Sequence, residues 1–129
     1  MKTILLVDDD ELFADMVQKT LTKLGYAVLR ARNGNEALQL YDPLKVDLVL
    51  TDLIMPDKEG LELISELHHA HPAVKIVAMS GGGRNTPEEY LPIARHLGAM
   101  KTLTKPFQQE ALAKALAESL DKPDLTRAA

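Results

Sequence analysis

The sequence predicts an α/β fold in which a five-stranded, doubly wound parallel sheet carries helices on both faces. Two observations predict it: short apolar runs alternate with amphipathic stretches, and glycine stands at several of the junctions. Five strand–helix units in succession favour parallel pairing, because each helix returns the chain to the same edge of the sheet. The 129 residues, 46% of them hydrophobic, fit one domain with a continuous core.

Five apolar runs supply the predicted strands. The runs at 4–7, 46–51 and 74–79 are mostly apolar, as expected of strands covered on both faces. The run at 26–31 predicts a second strand, and the short run at 100–104 predicts the fifth. The polar and glycine-containing segments between these runs are long enough for a helical crossover.

Amphipathic stretches supply the first three helices. In the first, apolar residues recur at spacings of three and four, and Gly25 stands where a left-handed helix end is needed. Asn33-Gly34-Asn35 predicts a turn and cap before the second helix. Gly60 opens the third helix after a turn at 55–57. The predicted apolar faces are Phe13, Met16, Val17, Leu21 and Leu24 in the first helix, and Leu63, Ile64 and Leu67 in the third.

Prolines mark the last two helices. The segment 86–89 has the form of a capping box with proline at the first helical position, and Gly98 closes that helix. Pro92 lies inside it and predicts a kink or a late start. Pro106 is expected to start the last helix. The predicted buried face of that helix is Leu112, Ala115, Leu116 and Leu120.

Polar side chains follow four of the five strands directly. Asp8 and Asp9 come after the first strand, Asp52 after the third, Ser80 after the fourth and Lys105 after the fifth. The carboxyl ends of parallel strands meet at one edge of a sheet, where ligands of such folds bind. We therefore expect these five residues to form one site.

This set of residue types suits phosphoryl transfer to an aspartate. Three crowded carboxylates repel each other unless a cation lies among them, and magnesium prefers oxygen ligands while keeping positions for water and phosphate. A lysine and a hydroxyl can contact phosphoryl oxygens. A carboxylate nucleophile, a metal, Lys105 and Ser80 together supply what the reaction requires. Each residue has a plausible structural role of its own, and Asp10 is expected only to cap the first helix.

Four segments resemble the motifs of the receiver domains of bacterial two-component response regulators. The acidic segment that ends in Asp8-Asp9-Asp10 is similar to their acidic pair, and 47–60, around Asp52, is similar to their phosphorylation segment. Ser80-Gly81 and Lys105-Pro106-Phe107 resemble the remaining two. The resemblance covers residues 2 to about 120, with order and spacing intact.

The resemblance implies a role for each site residue. Asp52 would accept the phosphoryl group, and Ser80 and Lys105 would contact its oxygens. Asp8, Asp9 and Asp52 would hold Mg²⁺, helped by the backbone carbonyl of Ile54. The resemblance also supplies the flavodoxin-like strand order 2-1-3-4-5.

The implied partners are a sensor histidine kinase or a histidine phosphotransfer protein, together with a downstream protein target. The domain would not be an enzyme beyond promoting its own phosphorylation and dephosphorylation. One departure concerns Thr102, which stands where the family usually has an aromatic residue, so the usual rotating ring is absent. The segment 80–105 is also a few residues longer than in compact chemotaxis receivers.

The same residues allow other functions. A phosphatase of the haloacid dehalogenase type would use Asp8, with Asp10, Ser80 and Lys105 as its other groups, but no acidic pair follows Lys105. A receiver that binds partners without phosphorylation, or a flavin-binding module of similar topology, is a further alternative. The complete set of Asp8, Asp9 and Asp52 argues against both the unphosphorylated receiver and the flavin-binding module. The modified aspartate, Asp8 or Asp52, distinguishes the phosphatase from the receiver.

Two other patterns receive structural interpretations. The glycine-rich segment 81–86 lacks the Gly-Lys-Ser/Thr ending of a nucleotide-binding P-loop. His68, His69 and His71 lie near a helix end, where they suit the helix dipole better than a metal site.

Composition restricts partners and compartment. The net charge of −4 argues against nucleic acid or an anionic membrane as the main partner. The chain has no cysteine, which excludes disulfides and thiolate metal sites. The first apolar run is too short for a signal peptide or a membrane span, so we expect a cytoplasmic protein. The expected organisation is a receiver domain at 1–121 and a flexible tail at 122–129.

Overall fold

The computed structural model describes residues 1–54, 60–81 and 90–121. In these residues five parallel strands form one sheet in the order β2-β1-β3-β4-β5. The strands are β1 (Thr3–Val7), β2 (Ala27–Ala31), β3 (Leu48–Asp52), β4 (Ile76–Ser80) and β5 (Lys101–Thr104). The helices are α1 (Glu11–Lys23), α2 (Gly34–Leu40), α3 (Gly60–Ala70), α4 (Tyr90–Leu97) and α5 (Gln109–Asp121). The predicted α/β class and strand order are confirmed.

Two apolar cores lie on opposite faces of the sheet. One is formed under α1 and α5 by alternate strand residues, together with side chains such as Val17 of α1 and Leu116 of α5. The other lies under α2, α3 and α4 and takes the intervening strand residues, with Ile64 of α3 and Ala94 of α4. Successive side chains of a strand point to opposite faces, so strands covered on both sides must be apolar throughout. That requirement explains the continuous apolar runs in the sequence.

The helix ends follow the sequence signals. Asp10 caps α1, because its side chain accepts a hydrogen bond from the backbone N–H of Phe13. Asn33 caps α2 in the same way, through the N–H of Glu36. Gly25 and Gly98 have positive φ angles of 95° and 135°, a conformation that side chains with a Cβ rarely adopt. These caps and glycine ends are confirmed as predicted.

Two predicted details of the helices are wrong. Met16 was expected on the buried face of α1 but is 62% exposed, and Ala14 is buried instead. Two residues along a helix turn the side chain through about 200°, so burying Ala14 sends Met16 outward. The last helix begins at Gln109, not at Pro106. The chain still pairs with β4 at this point, because the N–H of Lys105 donates to the carbonyl of Ser80 at 2.9 Å.

The described residues include the predicted histidine cluster, but they leave out several of the predicted proline and glycine segments. His68 and His69 lie in the last turn of α3 as predicted, and the ring of His71 lies 4.9 Å from that of Tyr41. The predicted turn at 55–57, the capping box at 86–89, most of the glycine-rich segment and the tail at 122–129 lie outside the described residues. The expected effect of Pro92 depends on the same undescribed residues. No helix in the described ranges has both the length and the apolar character needed to cross a bilayer.

Gly60 stands where the backbone of α3 meets the end of β3. Its N–H donates to the carbonyl of Leu53 at 2.8 Å, and a Cβ at this position would lie far inside contact distance of the Asp52 carbonyl oxygen. We expect Gly60→Ala to lower the free energy of unfolding by about 1–3 kcal/mol, because backbone has to move to admit the methyl group. Urea unfolding followed by circular dichroism measures this.

The control is Ser65→Ala, at an exposed position of the same helix. It should change the free energy of unfolding by less than about 0.5 kcal/mol. Equal stability of Gly60→Ala and wild type would show that the close approach of α3 to β3 is not required.

Candidate functional site

Three charged side chains reach the same side of the sheet at its carboxyl edge. Asp8, Asp52 and Lys105 stand at the ends of β1, β3 and β5, each two residues after a strand residue that packs in the core under α1 and α5. Those strand residues are Leu6, Leu50 and Leu103. Because strand side chains alternate with a period of two, the three charged groups point toward the same helix layer. The parallel sheet thereby brings together residues that are up to 97 positions apart.

Lys105 lies between the two buried carboxylates. Its Nζ is 2.8 Å from Oδ2 of Asp8 and 3.4 Å from Oδ2 of Asp52. Asp8 is 1% exposed and Asp52 is 7% exposed. Buried charges are costly unless they are paired and hydrogen-bonded, so the lysine offsets part of the cost of burying both acids.

The other oxygens of the two acids accept backbone hydrogen bonds. Oδ1 of Asp52 accepts from the N–H of Leu53 at 2.9 Å, and Oδ1 of Asp8 accepts from the N–H of Asp10, also at 2.9 Å. These bonds hold the carboxylates in fixed orientations at the strand ends. The Asp8 carboxylate therefore uses both oxygens for contacts within the protein, with Lys105 on the second.

Burial raises the pKa of Asp52 from 3.8 to about 6. The positive charge of Lys105 lowers the pKa, the negative charge of Asp8 raises it, and the hydrogen bond from Leu53 lowers it again. Desolvation disfavours the charged form of a carboxyl, and here it outweighs the attraction of the lysine. A carboxyl group with a strongly raised pKa in an acidic cluster is a candidate for a reactive residue of a functional site.

The acidic residues suit a magnesium ion. Asp8, Asp9 and Asp52 each offer a carboxylate oxygen, and these oxygens lie within 4.8 Å of one another. Asp9 is exposed, so the cluster opens to solvent and leaves space for the water ligands that Mg²⁺ retains. One lysine does not neutralise three carboxylates, so a divalent cation fits the charge of the site. The backbone carbonyl of Ile54, a half-buried residue, stays a predicted ligand.

The family model of the response regulator receiver domain matches residues 4–117. This chain belongs to that family. It is a receiver domain of the two-component signalling type, whose known role is to be phosphorylated on an aspartate. The resemblance seen in the sequence is confirmed.

Relatives of the receiver domain include whole proteins and parts of larger ones. It is 35% identical to the chemotaxis protein CheY of Thermotoga maritima over 116 residues, which are 89% of this chain and 94% of that protein. It is also 35% identical to the sensor kinase CckA of Brucella abortus over 95% of this chain but only 13% of that protein. The chain spans 26% of the transcriptional regulatory protein GlrR of Escherichia coli, at 33% identity over 92% of this chain.

Solved structures agree with the fold of the receiver domain. The CheY-like receiver domain protein of Methanospirillum hungatei has a TM-score of 0.85 and 30% sequence identity, with 94% of each chain covered. The receiver domain of NtrX from Brucella abortus has a TM-score of 0.85 and 28% identity, covering 93% of this chain and 99% of that one. The five-stranded sheet with its strand order therefore belongs to a known architecture.

Ser80 ends β4 at the same edge of the receiver domain. It is buried, it pairs in register with Thr104, and its carbonyl accepts the N–H of Lys105. The residue before it, Met79, pairs with Asp52. This register places Ser80 one residue beyond the partner of Asp52, and contact of its hydroxyl with a phosphoryl oxygen stays a prediction. Thr102 is half-buried in β5, in register with Ala78.

Phe13 contributes to the site of the receiver domain in a way that its sequence pattern did not predict. Its ring lies under the ammonium group of Lys105, 4.3 Å from Nζ to the ring centroid. The ring also meets that of Phe107 edge to face, with centroids 5.7 Å apart. Helical spacing predicted Phe13 only on the apolar face of α1. Its position one turn after the acidic segment was the available signal, but the contact depends on how α1 packs against the sheet.

Asp9 and Asp10 should have separable roles. We expect Asp9→Ala to weaken Mg²⁺ binding by roughly tenfold or more, because it removes the exposed carboxylate of the acidic cluster. We expect Asp10→Ala to leave Mg²⁺ affinity within about threefold of wild type and to cost about 1 kcal/mol of stability, because it removes the cap of α1. Calorimetric metal titration and urea unfolding measure the two effects. A larger loss of affinity from Asp10→Ala would reverse the assignment.

Proposed function

We propose that Asp52 accepts a phosphoryl group in a Mg²⁺-dependent reaction and that its phosphorylation switches the binding of a downstream protein. The observation that carries the proposal is the arrangement of Asp52 itself. Its carboxylate is held by the N–H of Leu53, stands 3.4 Å from the Lys105 ammonium, and shares an acidic cluster with Asp8 and Asp9. A fixed nucleophile, a cation and a metal-binding cluster are the requirements of phosphoryl transfer.

The reaction forms an acyl phosphate on Asp52. A carboxylate oxygen attacks the phosphorus of a phosphohistidine donor, the bond between phosphorus and the imidazole nitrogen breaks, and the imidazole nitrogen keeps the electron pair. Asp8, Asp9 and Asp52 would hold a Mg²⁺ ion, which when bound neutralises charge on the phosphoryl oxygens. Lys105 stands close enough to Asp52 to contribute a second positive charge. Ser80 would donate its hydroxyl hydrogen to a phosphoryl oxygen.

A phosphatase that uses Asp8 as its nucleophile is less well supported. Both oxygens of Asp8 are engaged, one by the N–H of Asp10 and the other by Lys105. Asp10, which would be the second acid of such an enzyme, caps α1. Receiver domains are signalling domains, and we propose that this one catalyses only its own phosphorylation and dephosphorylation.

The proposed phosphodonor is a sensor histidine kinase or a histidine phosphotransfer protein. One relative is a sensor kinase and another is a transcriptional regulatory protein, which supports a partner of this kind. Because such donors present phosphohistidine in the cytoplasm, that compartment is the proposed site of action. Neither nucleic acid nor membrane is a proposed direct partner.

Intact-mass spectrometry after incubation with acetyl phosphate tests the proposal. We expect wild type to gain one phosphoryl group with Mg²⁺ and none with EDTA, and Asp52→Asn to gain none under either condition. Peptide mapping of the modified protein separates the two functions, because we expect the phosphoryl group on Asp52, whereas a phosphatase-type nucleophile would carry it on Asp8. Equal phosphorylation of wild type and Asp52→Asn would refute the assignment of Asp52.

A further inference from the structure

We infer that Phe13 is a positioning residue for Lys105, whose ammonium group its ring face holds beside Asp8 and Asp52. The inference rests on the proposed function, because it concerns the lysine that serves the reaction at Asp52. It adds a residue of α1 to a site otherwise formed by the carboxyl ends of the strands.

The Lys105 ammonium has three contacts from different sides. Nζ lies 2.8 Å from Asp8 Oδ2, 3.4 Å from Asp52 Oδ2 and 4.3 Å from the centroid of the Phe13 ring. The face of an aromatic ring carries partial negative charge and attracts a cation, more strongly where water is excluded. The Lys105 side chain is 14% exposed, so the contact is largely shielded from solvent. A lysine side chain is long and flexible, and a third contact restricts where its charge can go.

One contact fixes the ring of Phe13 and another fixes its backbone. Phe107 meets it edge to face at 5.7 Å, with an angle of 88° between the ring planes. Phe107 follows Lys105 by two residues, so the segment that carries the lysine also supports the ring. The backbone N–H of Phe13 donates to the side chain of Asp10, the cap of α1, at 3.1 Å, which holds the backbone that carries the ring. Phe13 therefore connects the acidic segment 8–10 with the lysine segment 105–107.

The ring contact differs from the two carboxylate contacts in one respect that bears on the reaction. Asp8 and Asp52 are the groups whose charge and ligands change when metal and phosphoryl group bind. The ring face of Phe13 keeps its charge distribution throughout. It can thus hold the ammonium near Asp52 while its contacts with the acids are exchanged.

Four variants of the full chain test the inference through the rate constant of phosphorylation by acetyl phosphate with Mg²⁺. We expect Phe13→Leu, which keeps an apolar side chain but no ring, to slow phosphorylation by about five- to tenfold. Phe13→Tyr should stay within about twofold of wild type. A ring-trifluorinated phenylalanine at position 13, which keeps the shape but weakens the negative ring face, should fall between them. Val17→Ala loses packing in the same core and should react at the wild-type rate.

The ring-current shift of the Lys105 side-chain protons provides a readout independent of phosphorylation. We expect upfield-shifted ε-methylene signals in wild type and Phe13→Tyr, and their loss in Phe13→Leu. The inference is overturned if Phe13→Leu or the trifluorinated protein reacts at the wild-type rate, or if Val17→Ala is slowed equally. Failure of the proposed function would look different from failure of this inference. In that case wild type would remain unphosphorylated, or Asp52→Asn would be phosphorylated.

Discussion

Lys105→Met should lower the rate of Asp52 phosphorylation by about a hundred- to a thousandfold, the effect typical of removing one preorganised donor that stabilises a transition state. Lys105 is the cation closest to Asp52 among the described contacts, at 3.4 Å, and methionine fills a similar volume without the charge. The attacking carboxylate would then meet an anionic phosphoryl group without the positive charge of Lys105 beside it. Rate constants with acetyl phosphate and saturating Mg²⁺, followed by intact mass, measure the effect.

Lys101→Met is the matched control for this experiment. Lys101 lies on the same strand, β5, but its ammonium pairs with Glu118 at 3.1 Å. The Lys101→Met variant should therefore be phosphorylated on Asp52 at a rate close to that of wild type, although it loses the same formal charge. A similar decrease in both variants would show that the overall charge of the domain matters and that the position of Lys105 does not.

Asp52→Asn should be more stable than wild type at pH 7.5 in the absence of metal. The pKa of Asp52 is about 6 in the folded protein against an ordinary 3.8, so the folded state binds this proton more tightly than the unfolded chain does. Stability therefore falls as the pH rises from 3.8 to about 6, and it stays lower at higher pH. The ionised carboxyl costs up to about 3 kcal/mol, a cost that already includes the attraction of Lys105, and the uncharged asparagine removes it. We expect a net gain of about 1–2 kcal/mol.

Urea unfolding at several pH values, with EDTA present, measures this difference. The two proteins should have similar stabilities near pH 4 and diverge up to about pH 6, and Mg²⁺ should reduce the gap by binding the ionised wild-type site. Asp15→Asn is the control, because Asp15 is an exposed carboxylate that pairs with Arg30 on the surface. A wild-type protein that is the more stable of the two at pH 7.5 without metal would contradict the raised pKa.

The order of elements and the edge that carries the site were predictable because both depend on local signals. Apolar runs and helical spacings identified the five strands and their helices, and Asp10, Asn33 and the two positive-φ glycines marked helix ends. Topology then required polar residues at the strand ends to share one edge of the sheet. The prediction of Asp8, Asp52 and Lys105 as neighbours followed from this rule, and the distances among them agree with it.

Local signals failed where a neighbouring element determined the outcome. The proline at 106 is an ordinary helix start, yet the chain at Lys105 still bonds to the end of β4, and α5 begins only at Gln109. Spacing placed Met16 on the apolar face of α1, whereas packing against the sheet selected Ala14. In both cases the local pattern allowed two answers, and a contact with another part of the chain selected one.

The sequence by itself determined the fold class, the strand order by family resemblance, and the acidic edge with its lysine and serine. Only the tertiary structure showed that Lys105 lies between Asp8 and Asp52, that burial raises the pKa of Asp52, and that the Lys105 ammonium lies over the Phe13 ring. The physical reason is the distance along the chain over which each effect acts. Strand alternation and helix caps depend on residues a few positions apart, whereas desolvation and the meeting of a ring with an ammonium group depend on how α1 and the end of β5 pack together.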